Sequence, residues 1–128
     1  MADKQRPLDH ALQVLPIADI LPDIRENLKS HKNLVLQAQT GAGKTTVVPL
    51  DFLRHGVCEG KILVLQPRRI AAIGSARRMA ELWGDAVGET VGYRIRHDSA
   101  CGPRTRIEVI TEGILVRMLH RRRALEGV

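Results

Sequence analysis

One run of eight residues restricts the fold more than anything else in the chain: Ala38-Gln-Thr-Gly-Ala-Gly-Lys-Thr45, followed by Thr46. It lies between a short apolar run, Leu34-Val35-Leu36, and a stretch with helical character beginning at Gly43. Glycines at 41 and 43 let the backbone turn tightly, so that successive N–H groups converge on one point and form a nest for an anion. A helix that starts immediately afterwards adds its partial positive charge at the same place. In this setting a Lys reaches the β- and γ-phosphates of a nucleotide and the next hydroxyl holds Mg²⁺. Lys44 and Thr45 take those roles, with Thr40, Gly41, Ala42, Gly43 and Thr46 completing the cradle. The pattern G-x-x-x-x-G-K-[ST] is met except at its first position, where Ala38 stands.

The rest of the chain fits around a strand–loop–helix unit of that kind. Residues 1–16 read as a turn-rich lead. Ile17, Ile20, Leu21, Ile24 and Leu28 then follow helical spacing, with Pro22 suited to a first helical turn. The loop helix runs from about Gly43 to His55 and stops at Gly56, with Pro49 inside it. Ile62 to Leu65 reads as a buried parallel strand ended by Pro67. Residues 69–83 form a helix with Ile70, Ile73, Ala76 and Ala80 towards a core. Val91, Tyr93 and Ile95 alternate with Gly92, Arg94 and Arg96 as a half-exposed strand. Arg106 to Thr111 is a further strand and Gly113 to Ala124 a closing helix. Strands alternating with helices imply an α/β fold, a parallel sheet with flanking helices.

Composition removes several function classes. A chain of 128 residues with 44% hydrophobic and 27% charged side chains suits one ordinary domain rather than a disordered segment. No 18 apolar residues run together, so no membrane span is expected, and the polar first ten residues do not form a secretory signal. Cys58 and Cys101 make no framework, and a cytoplasmic, reduced protein is the simplest reading. His31, His55, His97 and His120 show no metal-ligand spacing. Ser75 has no G-x-S-x-G setting, which excludes a serine-hydrolase elbow.

Charge is unevenly placed. Residues 1–64 hold eight basic and seven acidic side chains, whereas residues 65–128 hold twelve and seven, and all twelve of those bases are Arg. Guanidinium groups fit phosphate oxygens in pairs, so the second half suits a polyanionic partner as well as a solubilising surface. Arg68 and Arg69 follow a predicted strand at the end where open parallel sheets bind ligands. Two cations at a helix N-terminus are unfavourable without an anion. Thr111-Glu-Gly113 takes the same position after the next strand, where a plain turn is the competing reading. Only three aromatic side chains are present, so contacts to nucleic acid would go to the backbone rather than through stacking.

Three motifs now stand in order: Ala38 to Thr45, Gln66-Pro-Arg-Arg-Ile-Ala-Ala72 and Thr111-Glu-Gly113, with Val91-Gly-Tyr-Arg-Ile-Arg96 between the last two. Together they resemble the start of a DEAH/DExH-box superfamily 2 helicase. Leu15-Pro-Ile17 and Gly102-Pro-Arg-Thr-Arg106 point to its bacterial HrpB-like branch. The resemblance covers about residues 14–128. It implies a RecA-like domain over 17–128, with Gly41, Gly43, Lys44, Thr45 and Thr46 on the phosphates and Mg²⁺ of ATP. It implies that Arg68 and Arg69 lie along a single nucleic acid strand, RNA before DNA, and that Thr111 and Gly113 meet its phosphates. Arg78 matches the position that lies under the nucleotide base. The D-E-x-H and S-A-T motifs and a second RecA-like domain with arginine fingers are not in these 128 residues. The resemblance therefore implies part of an ATP-dependent helicase, a piece cut before the D-E-x-H strand and inactive in hydrolysis alone. Two other readings remain open on the residues: a free-standing P-loop phosphotransferase, and a nucleic-acid-binding fragment without catalysis.

Overall fold

A computed structural model describes residues 6–39, 41, 43–121 and 125–128. Its centre is a sheet of strands β1 (Ile62–Leu65), β2 (Val91–Ile95), β3 (Asp98–Ala100) and β4 (Ile107–Ile110), in the spatial order β1-β4-β2-β3. β1, β4 and β2 are parallel to one another, and β3 returns antiparallel along the outer side of β2. Crossover helices join the parallel strands, as their geometry requires. The sequence gives no clear sign of β3, because its three residues are Asp, Ser and Ala. It exists through a tight hairpin in which His97 takes a positive φ of 66°. The Tyr93 hydroxyl donates to the Asp98 carboxylate across that hairpin at 3.0 Å.

The described residues also form five α-helices: α1 (Arg6–Val14), α2 (Leu21–Ser30), α3 (Lys44–Arg54), α4 (Arg69–Trp83) and α5 (Glu112–Arg121), with a 3-10 turn at Pro16–Ile20. The expected closing helix reached Ala124, and residues 122–124 lie outside the described residues. Side chains of Val91, Tyr93, Ile107 and Val109 enter one core with Ala72, Ala76, Met79 and Ala80 of α4. Register puts Leu63, Glu108 and Arg94 on the opposite face, where Ile114 and Met118 of α5 help line a cavity of about 750 Å³.

Besides the expected burial of β1, which at the edge of the sheet is only half-buried with Leu65 46% exposed, three expectations fail, each for a visible reason. The lead is not turn-rich. Leu8, Ala11, Leu12 and Leu15 stand at i, i+3, i+4 and i+7, and α1 buries Leu8 and Ala11 in the same core as the sheet. Full burial of such a Leu contributes about 2 kcal/mol, enough to override a polar surrounding sequence. Ile70 does not face the core but is 86% exposed, one residue into α4 beside Arg68 and Arg69. The face of α4 that packs inward begins at Ala72.

The third failure concerns the run before the loop. Leu34-Val35-Leu36 forms no ladder among the described residues, and Val35 is 95% exposed. A strand persists only where its N–H and C=O groups find a partner strand, and this run lies outside the four-stranded order. Leu36 and Ala38 instead pack on a small cluster of Ile17, Leu21, Ile24 and Val47.

Candidate functional site

The loop enters α3 with the geometry that a phosphate cradle needs. Gly41 has φ +85° and Gly43 φ +98°, both left-handed. Gly43 is the N-cap of α3, and a Cβ there would press to 3.0 Å on both Leu15 Cδ1 and Ile17 Cγ2. A side chain at 43 is therefore disfavoured by backbone conformation and would also crowd Leu15 and Ile17. Lys44 is the first residue of α3 and folds back over the loop, its Nζ donating to the Ala38 carbonyl at 2.8 Å. The lysine thus bonds back to the residue that opens its own loop. No acidic side chain stands in the first turn of α3, so nothing there opposes a negative ligand.

Thr45 and Thr46 follow on the same turn, both half-buried. Among the described residues the Thr45 hydroxyl has no internal hydrogen-bond partner, which leaves it for an outside group. A single hydroxyl beside phosphate oxygens is a donor set that suits Mg²⁺, which keeps most of its waters and takes few protein ligands. Among the described residues no cluster of three His, Cys, Asp or Glu forms a separate metal site. Thr40 and Ala42, the other two expected cradle residues, lie outside the described residues.

A second constellation occupies the carboxyl ends of the parallel strands. Leu65 is in register with Ile110, and Ile110 with Arg94. Gln66 N continues the ladder to the Ile110 carbonyl at 2.9 Å. The segments that leave these strands therefore emerge side by side, about 5 Å apart. Arg68 is the exposed N-cap of α4 and Arg69 its first residue, with no acid in the first turn. Thr111 precedes α5, its carbonyl accepting from the amides of Ile114 and Leu115, both at 3.1 Å. Gly113 has open space where a Cβ would be, so the free amides of that first turn are approachable. Arg68 and Arg69 follow β1, and Thr111 and Gly113 follow β4, the strand paired beside it.

One further residue joins them. The Arg69 guanidinium donates to the Arg96 carbonyl at 3.1 Å, tying the β2–β3 hairpin to the start of α4. Sequence reading treated Arg68 and Arg69 alike, and the structure separates them. The Arg68 guanidinium has no hydrogen bond or ion pair among the described residues, whereas that of Arg69 already has a structural partner. Arg78, ten residues along α4, is exposed, and its guanidinium pairs with Glu81 at 3.3 Å rather than with the loop.

Two titrating groups lie in the hairpin that borders this edge. The hydrogen bond to Asp98 holds the Tyr93 hydroxyl above its ordinary pKa, helped by burial. Burial, and then the nearby Glu108 carboxylate, push the Cys101 thiol up as well. Glu108 itself is buried on β4 and paired with Lys61 Nζ at 2.7 Å and Arg94 Nε at 3.7 Å.

Comparison with known proteins finds relatives over most of the chain. The chain is 48% identical over 114 residues to the ATP-dependent RNA helicase HrpB of Escherichia coli, covering 89% of this chain and 14% of that protein. The crystal structure of the Escherichia coli DEAH/RHA helicase HrpB superposes with a TM-score of 0.85 over 89% of this chain and 15% of its own. The chain belongs to the DEAH-box helicase family. ATP-dependent RNA helicase HrpA of Borreliella burgdorferi is 41% identical over 106 residues, which is 82% of this chain and 13% of that protein. The chain thus spans about one-seventh of the DEAH-box relatives it matches. No family model matches it. Its α/β sheet with flanking helices is the helicase type expected from the three motifs.

Proposed function

We propose that this segment binds ATP with Mg²⁺ through the loop from Thr40 to Thr46 and grips the backbone of single-stranded RNA at the carboxyl edge of the sheet. It would serve as the first part of the first RecA-like domain, over residues 17–128, of an ATP-dependent RNA helicase. The observation that carries this reading is the loop closed by Lys44 on Ala38, with left-handed Gly41 and Gly43 at the N-terminus of α3. Relatives named as ATP-dependent RNA helicases support it.

Each residue has a defined task. Lys44 leaves the Ala38 carbonyl for the β- and γ-phosphate oxygens, exchanging a neutral acceptor for a charged one, which is the stronger bond. The amides of the loop and of the first turn of α3 hold the remaining phosphate oxygens. The Thr45 hydroxyl would hold Mg²⁺, which neutralises phosphate charge when bound. Arg78 would lie against the nucleotide base once released from Glu81. At the other site, Arg68 is free to pair with a strand phosphate. The Thr111 hydroxyl and the open amide of Gly113 donate to the next phosphate, and Arg69 keeps the hairpin in place. The carboxylate that orients water stands, in this family, in a D-E-x-H motif that these residues do not contain. Binding rather than turnover is therefore the function proposed for the segment.

Equilibrium titration of a fluorescent ATP analogue with Mg²⁺ tests the reading. The chain should bind it saturably, and Lys44→Ala should weaken binding about tenfold to a hundredfold, the scale of a hydrogen bond to a charged group. Equal binding by both proteins would refute the loop assignment.

A further inference from the structure

We propose that Arg25 is a positioning residue for the phosphate loop and acts on it through Asp51. The inference rests on the nucleotide-binding reading of that loop and adds the device that aims it.

Asp51 lies on α3 and is 1% exposed, a carboxylate in an otherwise apolar helix face of Val47, Pro49 and Leu50. Arg25 of α2 reaches it with Nη1 at 2.6 Å from both carboxylate oxygens. His55, at the end of α3, places Nε2 3.5 Å from one of them. Asp51 follows Lys44 by seven residues, two helical turns less about 20°, so the two lie on one stripe of α3 roughly 10 Å apart along its axis. Whatever fixes the rotation of α3 at Asp51 fixes the direction in which Lys44 leaves it.

The same stretch of chain holds α3 at its other end. Leu15 and Ile17 fill the space against Gly43, and the chain then runs through the 3-10 turn into α2 and Arg25. Residues 15–25 therefore touch α3 at its N-cap and again two turns later. Apolar contacts at Val47 and Leu50 favour burial but are non-directional. The ion pair supplies the direction they lack. Among the described residues the other stem of the loop, Leu34 to Ala38, enters no ladder, so α3 carries the orientation seen here. The loop takes its aim from α3, and α3 from Arg25.

The test uses the whole chain and compares Arg25→Gln, Arg25→Lys and Lys44→Ala with wild type. Affinities for the fluorescent Mg-ATP analogue and for single-stranded RNA are measured at a temperature where circular dichroism shows each protein folded. Arg25→Gln should lower nucleotide affinity about fivefold or more, the lower end of energetic coupling between linked sites. Its RNA affinity should stay within about twofold, the bound on coupling too weak to count. Arg25→Lys keeps the charge without the guanidinium fork and should recover part of the loss. It also serves as the reading variant if Arg25→Gln does not fold, and should then fall below wild type. A lowered melting temperature with unchanged nucleotide affinity would overturn the proposal by showing a merely structural pair. An equal fall in both affinities would overturn it as well. If Lys44→Ala also binds nucleotide like wild type, the loop reading has failed; if only the Arg25 variants do, the positioning role alone has failed.

Discussion

The phosphate loop and the carboxyl edge of the sheet are built in opposite ways. The loop has a sequence motif on which its proposed chemistry rests, yet among the described residues it stands on one helix and a stem without a ladder. The edge has only short, ambiguous motifs, yet three parallel strands in continuous register hold it. The loop is local: nine consecutive residues bring every group it uses. The edge exists only after residues 65, 94 and 110 are paired, so nothing within any one segment announces it. A site made by one turn of chain is read from sequence, whereas a site made by strand pairing is read from topology.

That contrast can be broken by substitution. The largest effect belongs to the loop. Lys44→Ala should lose about tenfold to a hundredfold in nucleotide affinity while leaving single-stranded RNA affinity unchanged, because no strand at the edge depends on Lys44. A matching loss of RNA binding would mean that the two regions are one site. Fluorescence anisotropy with each ligand separates these outcomes.

A smaller effect distinguishes the two arginines at the edge. Arg68→Gln should weaken RNA binding evenly across sequences and lower the salt slope of log affinity by about one unit, as loss of one phosphate contact does. Arg69→Gln should change that slope less, since its guanidinium is engaged with the Arg96 carbonyl. Titrations at several salt concentrations give both slopes. Equal slopes for the two variants would show that the Arg69 partner yields to phosphate, and would return the pair to the equivalence read from sequence.

The smallest effect concerns pH. The pKa values of Tyr93 and Cys101 are raised in the folded chain, so their contribution to stability is whole at neutral pH. It is lost as pH rises through the folded values. The melting temperature should therefore fall in the alkaline range, and Tyr93→Phe should fall less steeply than wild type. Parallel slopes would remove the hairpin from the explanation.

Much of the fold was legible because apolar spacing and glycine stops are local. The α4 helix begins and ends where residues 69–83 were expected, with Gly84 in a left-handed cap. The misses are also physical. The α1 helix was hidden among polar residues, although Leu8, Ala11, Leu12 and Leu15 carried its spacing. Leu34-Val35-Leu36 has the composition of a strand, but composition does not supply a neighbour. The β3 strand has no apolar signal and depends on the turn at His97. At the site, the ion pair between Arg25 and Asp51 left one trace in the sequence, an acid set among Val47, Val48, Leu50 and Phe52. The bond from Arg69 to Arg96 left none, because its acceptor is a backbone carbonyl.

The most direct measurement follows backbone amide resonances of the isotopically labelled chain as each ligand is added. Mg-ATP should shift Gly41, Gly43 and Lys44 and leave Arg68, Thr111 and Gly113 in place, while a short single-stranded RNA should shift the second set and not the first. Movement of the same set by both ligands, or of neither set by its own ligand, would contradict a nucleotide loop and a strand-binding edge as two separate sites.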